Sequence, residues 1–141
     1  MGDLEFVPHT ADIALRARGR DLPDLLRTAA LGVTAAATDQ ERIIPRRAPD
    51  VGPRTLRSEG APDQEGLLVS FLNEVIFQGE VNGELYTDFE VLSVSLDGGV
   101  CAAAYPDPGL APAHAVKAAT YYGLHVARTA RGLEATIVFD V

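Results

Sequence analysis

Apolar residues recur at helical spacing in two stretches and predict two amphipathic helices. The first stretch is 20–38, where Asp21 is placed to cap the helix and Pro23 lies in its first turn. The second stretch is 63–80. The two apolar stripes consist of Leu22, Leu25, Leu26, Ala29, Ala30 and Val33 in the first helix and of Leu67, Leu68, Phe71, Leu72, Val75 and Ile76 in the second.

Most of the remaining chain shows the alternation or the short apolar runs typical of β-strands. Gly98-Gly99 and Arg131-Gly132 have the composition of hairpin turns, which favours antiparallel pairing. The pattern predicts an α+β fold in which two helices pack on layers of mostly antiparallel sheet, as one domain over 1–141. The pattern predicts one or two strands over 6–19 around a turn at Pro8, and one or two edge strands at 42–45 and 53–59. Further strands are predicted at 86–96, 99–106, 114–129 and 133–141.

The charge balance limits the classes of function. The formal net charge is −8, which disfavours a stand-alone nucleic-acid-binding protein. Nine of the twelve bases lie between Arg16 and Arg57, and ten of the twenty acids lie between Glu59 and Asp107. This asymmetry is typical of solvated surface, although two patches of opposite charge could instead orient a partner.

A single cysteine, Cys101, excludes an internal disulfide and a zinc site built from several cysteines. It lies in an apolar run and is expected to be a buried small side chain.

The N-terminus lacks a signal-peptide pattern, and no apolar run approaches the length of a membrane span. We therefore expect a soluble, cytoplasmic protein.

Carboxylates at both ends of the sequence are the best candidates for chemistry. Asp12 opens a predicted strand, and Asp140 is followed by Val141, which would carry an ionised α-carboxylate. Oxygen ligands of this kind bind Ca²⁺, Mg²⁺ and Mn²⁺. The other interpretation is a frayed end with two solvated acids.

Several other residues have two interpretations each. His9 could be a ligand, a base or a structural residue at the start of a strand. Lys117 interrupts an apolar run and is either an extended surface side chain or a contact for an anion. Asn73 is either solvated or bonded to a neighbouring loop. Tyr121 and Tyr122 are adjacent, so a strand would point one to the core and the other to solvent.

Four segments, in order, resemble the archease family over 6–141 of the chain. They are the His-Thr-Ala-Asp strand with the first helix (9–33), the second helix (67–77), the Val-Lys-Ala strand (116–126) and the ending "VFDV" (138–141). The resemblance implies a protein that is not itself an enzyme and that activates the RtcB-type RNA-splicing ligase, which works through a guanylylated histidine. Archease promotes guanylylation and multiple turnover and broadens nucleotide use, in tRNA splicing and RNA repair. Contact with RNA and GTP would be indirect, through the ligase.

The resemblance also implies a metal site, occupied by Ca²⁺ in the family. Carried over by motif, its ligands are Asp12, Asp140 and Val141, and Lys117 matches a family lysine. Two features depart from the family: Tyr122 stands where a histidine is usual, and the loop 105–113 is shorter.

Two alternatives belong to other classes. One is a stand-alone metal-dependent hydrolase or isomerase that uses His9, Asp12 and Asp140, although no paired nucleophile and base is evident. The other is an RNA chaperone that uses the basic segment from Arg16 to Arg57.

Overall fold

The structure is a computed structural model that describes residues 2–7 and 12–141. The predicted turn at Pro8 lies outside these residues. The described part of the chain forms two helices and eight strands: β1 (Asp3–Val7), β2 (Ile13–Gly19), α1 (Leu22–Ala37), β3 (Arg54–Ser58), α2 (Gln64–Asn82), β4 (Tyr86–Ser95), β5 (Gly99–Pro106), β6 (Ala118–Thr120), β7 (Ala127–Thr129) and β8 (Gly132–Asp140).

Both predicted helices form, and each begins at a capping aspartate. The Asp21 carboxylate accepts the N–H of Asp24 at 2.9 Å, and the Asp63 carboxylate accepts the N–H of Gly66 at 2.8 Å. These bonds satisfy amides that have no partner inside the first turn. Helix α2 ends at Gly83, whose φ of 65° is a left-handed conformation that glycine adopts without strain.

The strands form two antiparallel sheets. Sheet A has the order β1-β2-β8-β6, with β7 also paired to β8, and sheet B has the order β3-β5-β4. Helix α1 contacts β2 and β4, while α2 contacts β3 and β6, so the helices lie as a layer between the sheets. The α+β prediction of helices packed on antiparallel layers is confirmed.

The core lies around the helix layer. Phe89 of β4 makes edge-to-face contacts with Phe71 of α2 and with Tyr86, at centroid separations of 6.5 and 5.9 Å. Helix α1 approaches β2 so closely that a Cβ at Gly32 would clash with the Leu15 side chain. Glycine at this position allows the helix to pack directly on sheet A.

The structure settles one open strand prediction and corrects another. Of the two candidate edge strands only the one within 53–59 forms; residues 42–45 are irregular and pair with no strand in the described part of the chain, Ile44 is largely exposed, and Pro45 lacks an amide donor. The predicted strand 114–129 is interrupted between β6 and β7 by a turn containing Gly123, whose φ is 63°. The hairpins at Gly98-Gly99 and Arg131-Gly132 are confirmed.

Tyr121 and Tyr122 lie in that turn, so the alternation of a strand does not apply to them. Both are exposed, by 62% and 72%, and the prediction that one of them is a core residue is wrong. Cys101 lies in the central strand of sheet B and is only partly buried, contrary to expectation.

Candidate functional site

One end of sheet A brings together the start of β2, the end of β8 and the start of β6. Ile13 pairs with Phe139, and Ala118 pairs with Asp140. Asp12 precedes Ile13 and Asp140 follows Phe139, so the antiparallel register places the two aspartates at the same end of neighbouring strands. Residues near opposite ends of the sequence therefore become neighbours through the pairing of β2 with β8.

Asp140 ends β8 directly after a run of three buried residues. Ile137 and Phe139 are fully buried against the helices, whereas Asp140 is exposed. Asp12 is half-buried and lines a groove of about 420 Å³ between the start of β2 and the end of α1. Asp39 and Glu41 line the same groove.

The electrostatic character of this end is negative. Four carboxylates lie here, those of Asp12, Asp39, Glu41 and Asp140. Helix α1 also ends here, and the carbonyl end of a helix carries partial negative charge. The Ala37 carbonyl accepts the N–H groups of Ala113 at 2.7 Å and His114 at 3.3 Å, and these bonds hold the loop between β5 and β6 against the end of α1. This end of the molecule would attract cations rather than anions.

Lys117 lies beside this acidic end. Its backbone N–H donates to the Asp140 carbonyl at 2.8 Å, which adds one hydrogen bond to β8 directly before β6. Its side chain is exposed. An exposed ammonium next to carboxylates would suit an anionic group that approaches together with a cation.

Asn73 fixes the position of β6 from the helix side, a role that the sequence analysis left open. Its Nδ2 donates to the Ala119 carbonyl at 3.2 Å, and its Oδ1 accepts the Ala119 N–H at 2.8 Å. The carboxamide thus replaces a neighbouring strand for β6. The sequence signal is weak, because a polar residue at the edge of an amphipathic helix usually faces solvent.

The chemistry of the predicted ligands fits a hard cation. The set contains two side-chain carboxylates, from Asp12 and Asp140, and main-chain oxygens of Val141, with no sulfur or imidazole. Within 2–7 and 12–141, no group of three or more histidine, cysteine, aspartate or glutamate side chains is arranged to hold a metal ion. The metal site stays a prediction, and His9 lies outside the described residues.

The basic segment from Arg16 to Arg57 does not form a free cationic surface. Seven of its nine arginines pair with carboxylates in the described structure. The pairs include Arg16 with Glu5 at 2.9 Å and Arg27 with Asp88 at 2.8 Å. The paired residues are Arg16, Arg18, Arg20, Arg27, Arg46, Arg47 and Arg54.

The fold places the protein in a known structural class. Protein 1598 of Methanobacterium thermoautotrophicum superposes with a TM-score of 0.71, at 25% identity, over 98% of both chains. An archease from Thermotoga maritima, described as a possible chaperone, has the same fold, with a TM-score of 0.57 at 20% identity over 96% of this chain and 94% of its own.

Sequence comparison identifies the family. The model of the Archease protein family matches residues 4–141, and the chain therefore belongs to the archease family. The protein archease of Methanosarcina barkeri is 31% identical over 97% of this chain and 94% of its own length. Neither helix of the described structure is long and apolar enough to cross a membrane.

Proposed function

We propose that this chain is an accessory protein that activates an RtcB-type RNA-splicing ligase in the cytoplasm. It would promote guanylylation of the ligase histidine and multiple turnover, and it would broaden the nucleotides that the ligase accepts. The main support is that an archease-family chain brings Asp12 and Asp140 to the same exposed end of sheet A. An exposed end suits work on another protein's active site better than turnover in an enclosed pocket.

Asp12, Asp140 and the main-chain oxygens of Val141 would hold Ca²⁺ or another hard divalent cation such as Mg²⁺ or Mn²⁺. When bound, such an ion supplies positive charge for phosphate oxygens. Three protein groups leave positions for water or for the partner's groups, since Ca²⁺ takes about 6–8 oxygens.

The contribution of the protein itself is positional. The register of β2 against β8 fixes the backbones that carry the two carboxylates. Lys117, whose backbone is bonded to Asp140, holds an ammonium at the same end, where it would contact a phosphate. Phosphoryl transfer responds mainly to positioning and charge stabilisation, so a partner that arranges these groups can accelerate it.

The test is a guanylylation assay of the ligase with Asp12→Asn and Asp140→Asn. Both variants keep the side-chain shape and remove the charge, and each is expected to lose most of the stimulation. Asp97→Asn is the matched control, because Asp97 is an exposed carboxylate in the β4–β5 turn, on the other sheet. It should stimulate like the unaltered protein.

Full stimulation by both Asp12→Asn and Asp140→Asn would contradict the proposal. Metal-dependent hydrolysis of a phosphorylated compound by this chain alone would contradict the accessory role and support the stand-alone hydrolase.

A further inference from the structure

The segment 117–131 forms the outer margin of sheet A along β8. Strand β6 pairs with the end of β8 and β7 with its beginning, so the segment follows β8 over its length. Nine residues of extended strand span about 30 Å. The segment contains one lysine, two arginines and two tyrosines but no aspartate or glutamate, in a chain of net charge −8. We call residues 117–131 the β6–β7 strip.

The cations of the strip are available for binding. Lys117, Arg128 and Arg131 are exposed, and none of them forms an ion pair with a carboxylate in the described structure. The arginines of the Arg16–Arg57 segment are, in contrast, mostly neutralised by carboxylate partners. The strip therefore carries three cations that have no carboxylate ion-pair partner in the described structure, with Asp140 and Glu65 at its edges.

Tyr121 and Tyr122 are the aromatic component of the strip. Their exposed fractions, 62% and 72%, are unusual for large apolar rings in a folded protein. They lie in the turn between β6 and β7, with the cations on either side along the margin. Exposed tyrosines between unpaired cations are the combination with which proteins hold single strands of nucleic acid.

The turn is anchored at both ends. Thr120 Oγ1 donates to the Val138 carbonyl at 2.9 Å, and Asn73 holds Ala119 through two hydrogen bonds. On the other side, the Glu65 carboxylate of α2 accepts the Val126 N–H at 2.7 Å. These anchors present the rings from a defined scaffold, which lowers the entropy cost of binding.

We propose that the β6–β7 strip binds single-stranded RNA. The cations would neutralise phosphates, and the two tyrosine rings would stack on bases. This goes beyond the proposed function, in which RNA contacts only the ligase. Because Lys117 adjoins Asp140, one end of the bound strand would lie at the candidate metal site.

Charge and ring exposure together favour this occupant. The lack of carboxylates in the strip disfavours a basic protein partner. The tyrosines favour single strands over a duplex, because the bases of a duplex are already stacked.

The test is fluorescence anisotropy of a labelled single-stranded RNA with the full chain and no ligase. Three phosphate contacts predict that log K falls against log salt with a slope of about −2 between about 50 and 200 mM salt.

Tyr121→Ala and Tyr122→Ala should each weaken binding about tenfold, because loss of one stacked base costs about 1–3 kcal/mol. The Phe variants at these positions should bind normally. Arg128→Gln and Arg131→Gln should each make the slope less steep by about 0.7, because one phosphate contact is lost.

Two controls match these changes elsewhere on the surface. Phe77→Ala removes an exposed ring of α2, and Arg57→Gln removes an exposed arginine of β3, which has no carboxylate ion pair in the described structure. Neither should alter binding. The anisotropy assay contains no ligase, and the guanylylation assay of Asp12→Asn and Asp140→Asn contains no strip variant, so failure of this inference and failure of the proposed function are distinguishable.

The inference is overturned if no salt-dependent binding is found, if the controls lose as much affinity as the strip variants, or if a duplex binds equally well and is insensitive to the tyrosine changes. It is also overturned if the strip variants bind RNA normally but fail to capture the ligase, which would make a protein the occupant.

Discussion

Ser58 is the residue whose environment most clearly departs from full hydrogen bonding. Its Oγ is buried and has no partner in the described structure, whereas the buried hydroxyl of Thr34 donates to the Tyr86 carbonyl at 2.6 Å. An unpaired buried hydroxyl costs free energy, so Ser58→Ala is expected to raise the free energy of unfolding by about 1 kcal/mol. Thr34→Val should lower it by a similar amount, because it leaves a carbonyl without its donor. Urea unfolding measures both, and a Ser58→Ala variant as destabilised as Thr34→Val would contradict this assignment.

Asp88 gives the structure a pH dependence. Burial alone would raise the pKa of its carboxyl, but hydrogen bonds from Arg47 and Arg27 outweigh burial and hold the pKa below its usual value. A carboxyl with a lowered pKa in the folded state stabilises above its unfolded pKa, and this contribution is lost as the pH falls through the folded value.

Asp88→Asn should therefore lower the free energy of unfolding by about 2 kcal/mol at neutral pH, where a charged hydrogen-bonded pair is lost. The difference from the unaltered protein should shrink below about pH 4. Urea titrations across this pH range measure the difference in the free energy of unfolding. Glu90→Gln, on the exposed side of β4, is the control and should change this free energy little. A difference that is constant from neutral to acid pH would show that the charge of Asp88 contributes nothing.

The sequence predicted the helices well because two independent local signals coincide there. Apolar spacing marked both helices, and the capping aspartates marked their starts. It failed at Tyr121-Tyr122-Gly123, where aromatic residues favour a strand but Gly123 adopts a positive φ in a turn. Residues 42–45 failed for a different reason, since strand propensity has no effect without a neighbouring strand.

At the scale of elements, Asn73 links α2 to β6 and so to the candidate site. Asn73→Leu removes both the donor to the Ala119 carbonyl and the acceptor of the Ala119 N–H. We expect faster amide exchange at Ala119 and at Lys117, since β6 would detach from the helix. Gln78→Ala, on the same helix, should leave these two amides unchanged. Unchanged protection at Ala119 in Asn73→Leu would show that β6 is held by β8 alone.

At the scale of the whole molecule, the sheet joins what the sequence separates. No local pattern could place Asp12 beside Asp140, because their proximity depends on the pairing of β2 with β8. The family resemblance, rather than spacing, predicted which residues lie together. The sequence left two interpretations of the basic segment open for a related reason, since the carboxylates that neutralise most of its arginines are distant in sequence and close only in the folded chain.

The central claim is that Asp12 and Asp140 act as one site on the ligase. A double-mutant cycle tests it most directly, with ligase guanylylation measured for Asp12→Asn, Asp140→Asn and the double variant. The effects of groups that act as a unit are not additive. The double variant should therefore stimulate guanylylation as much as the single variant with the lower stimulation. Losses that multiply in the double variant, as for independent surface charges, would contradict the claim.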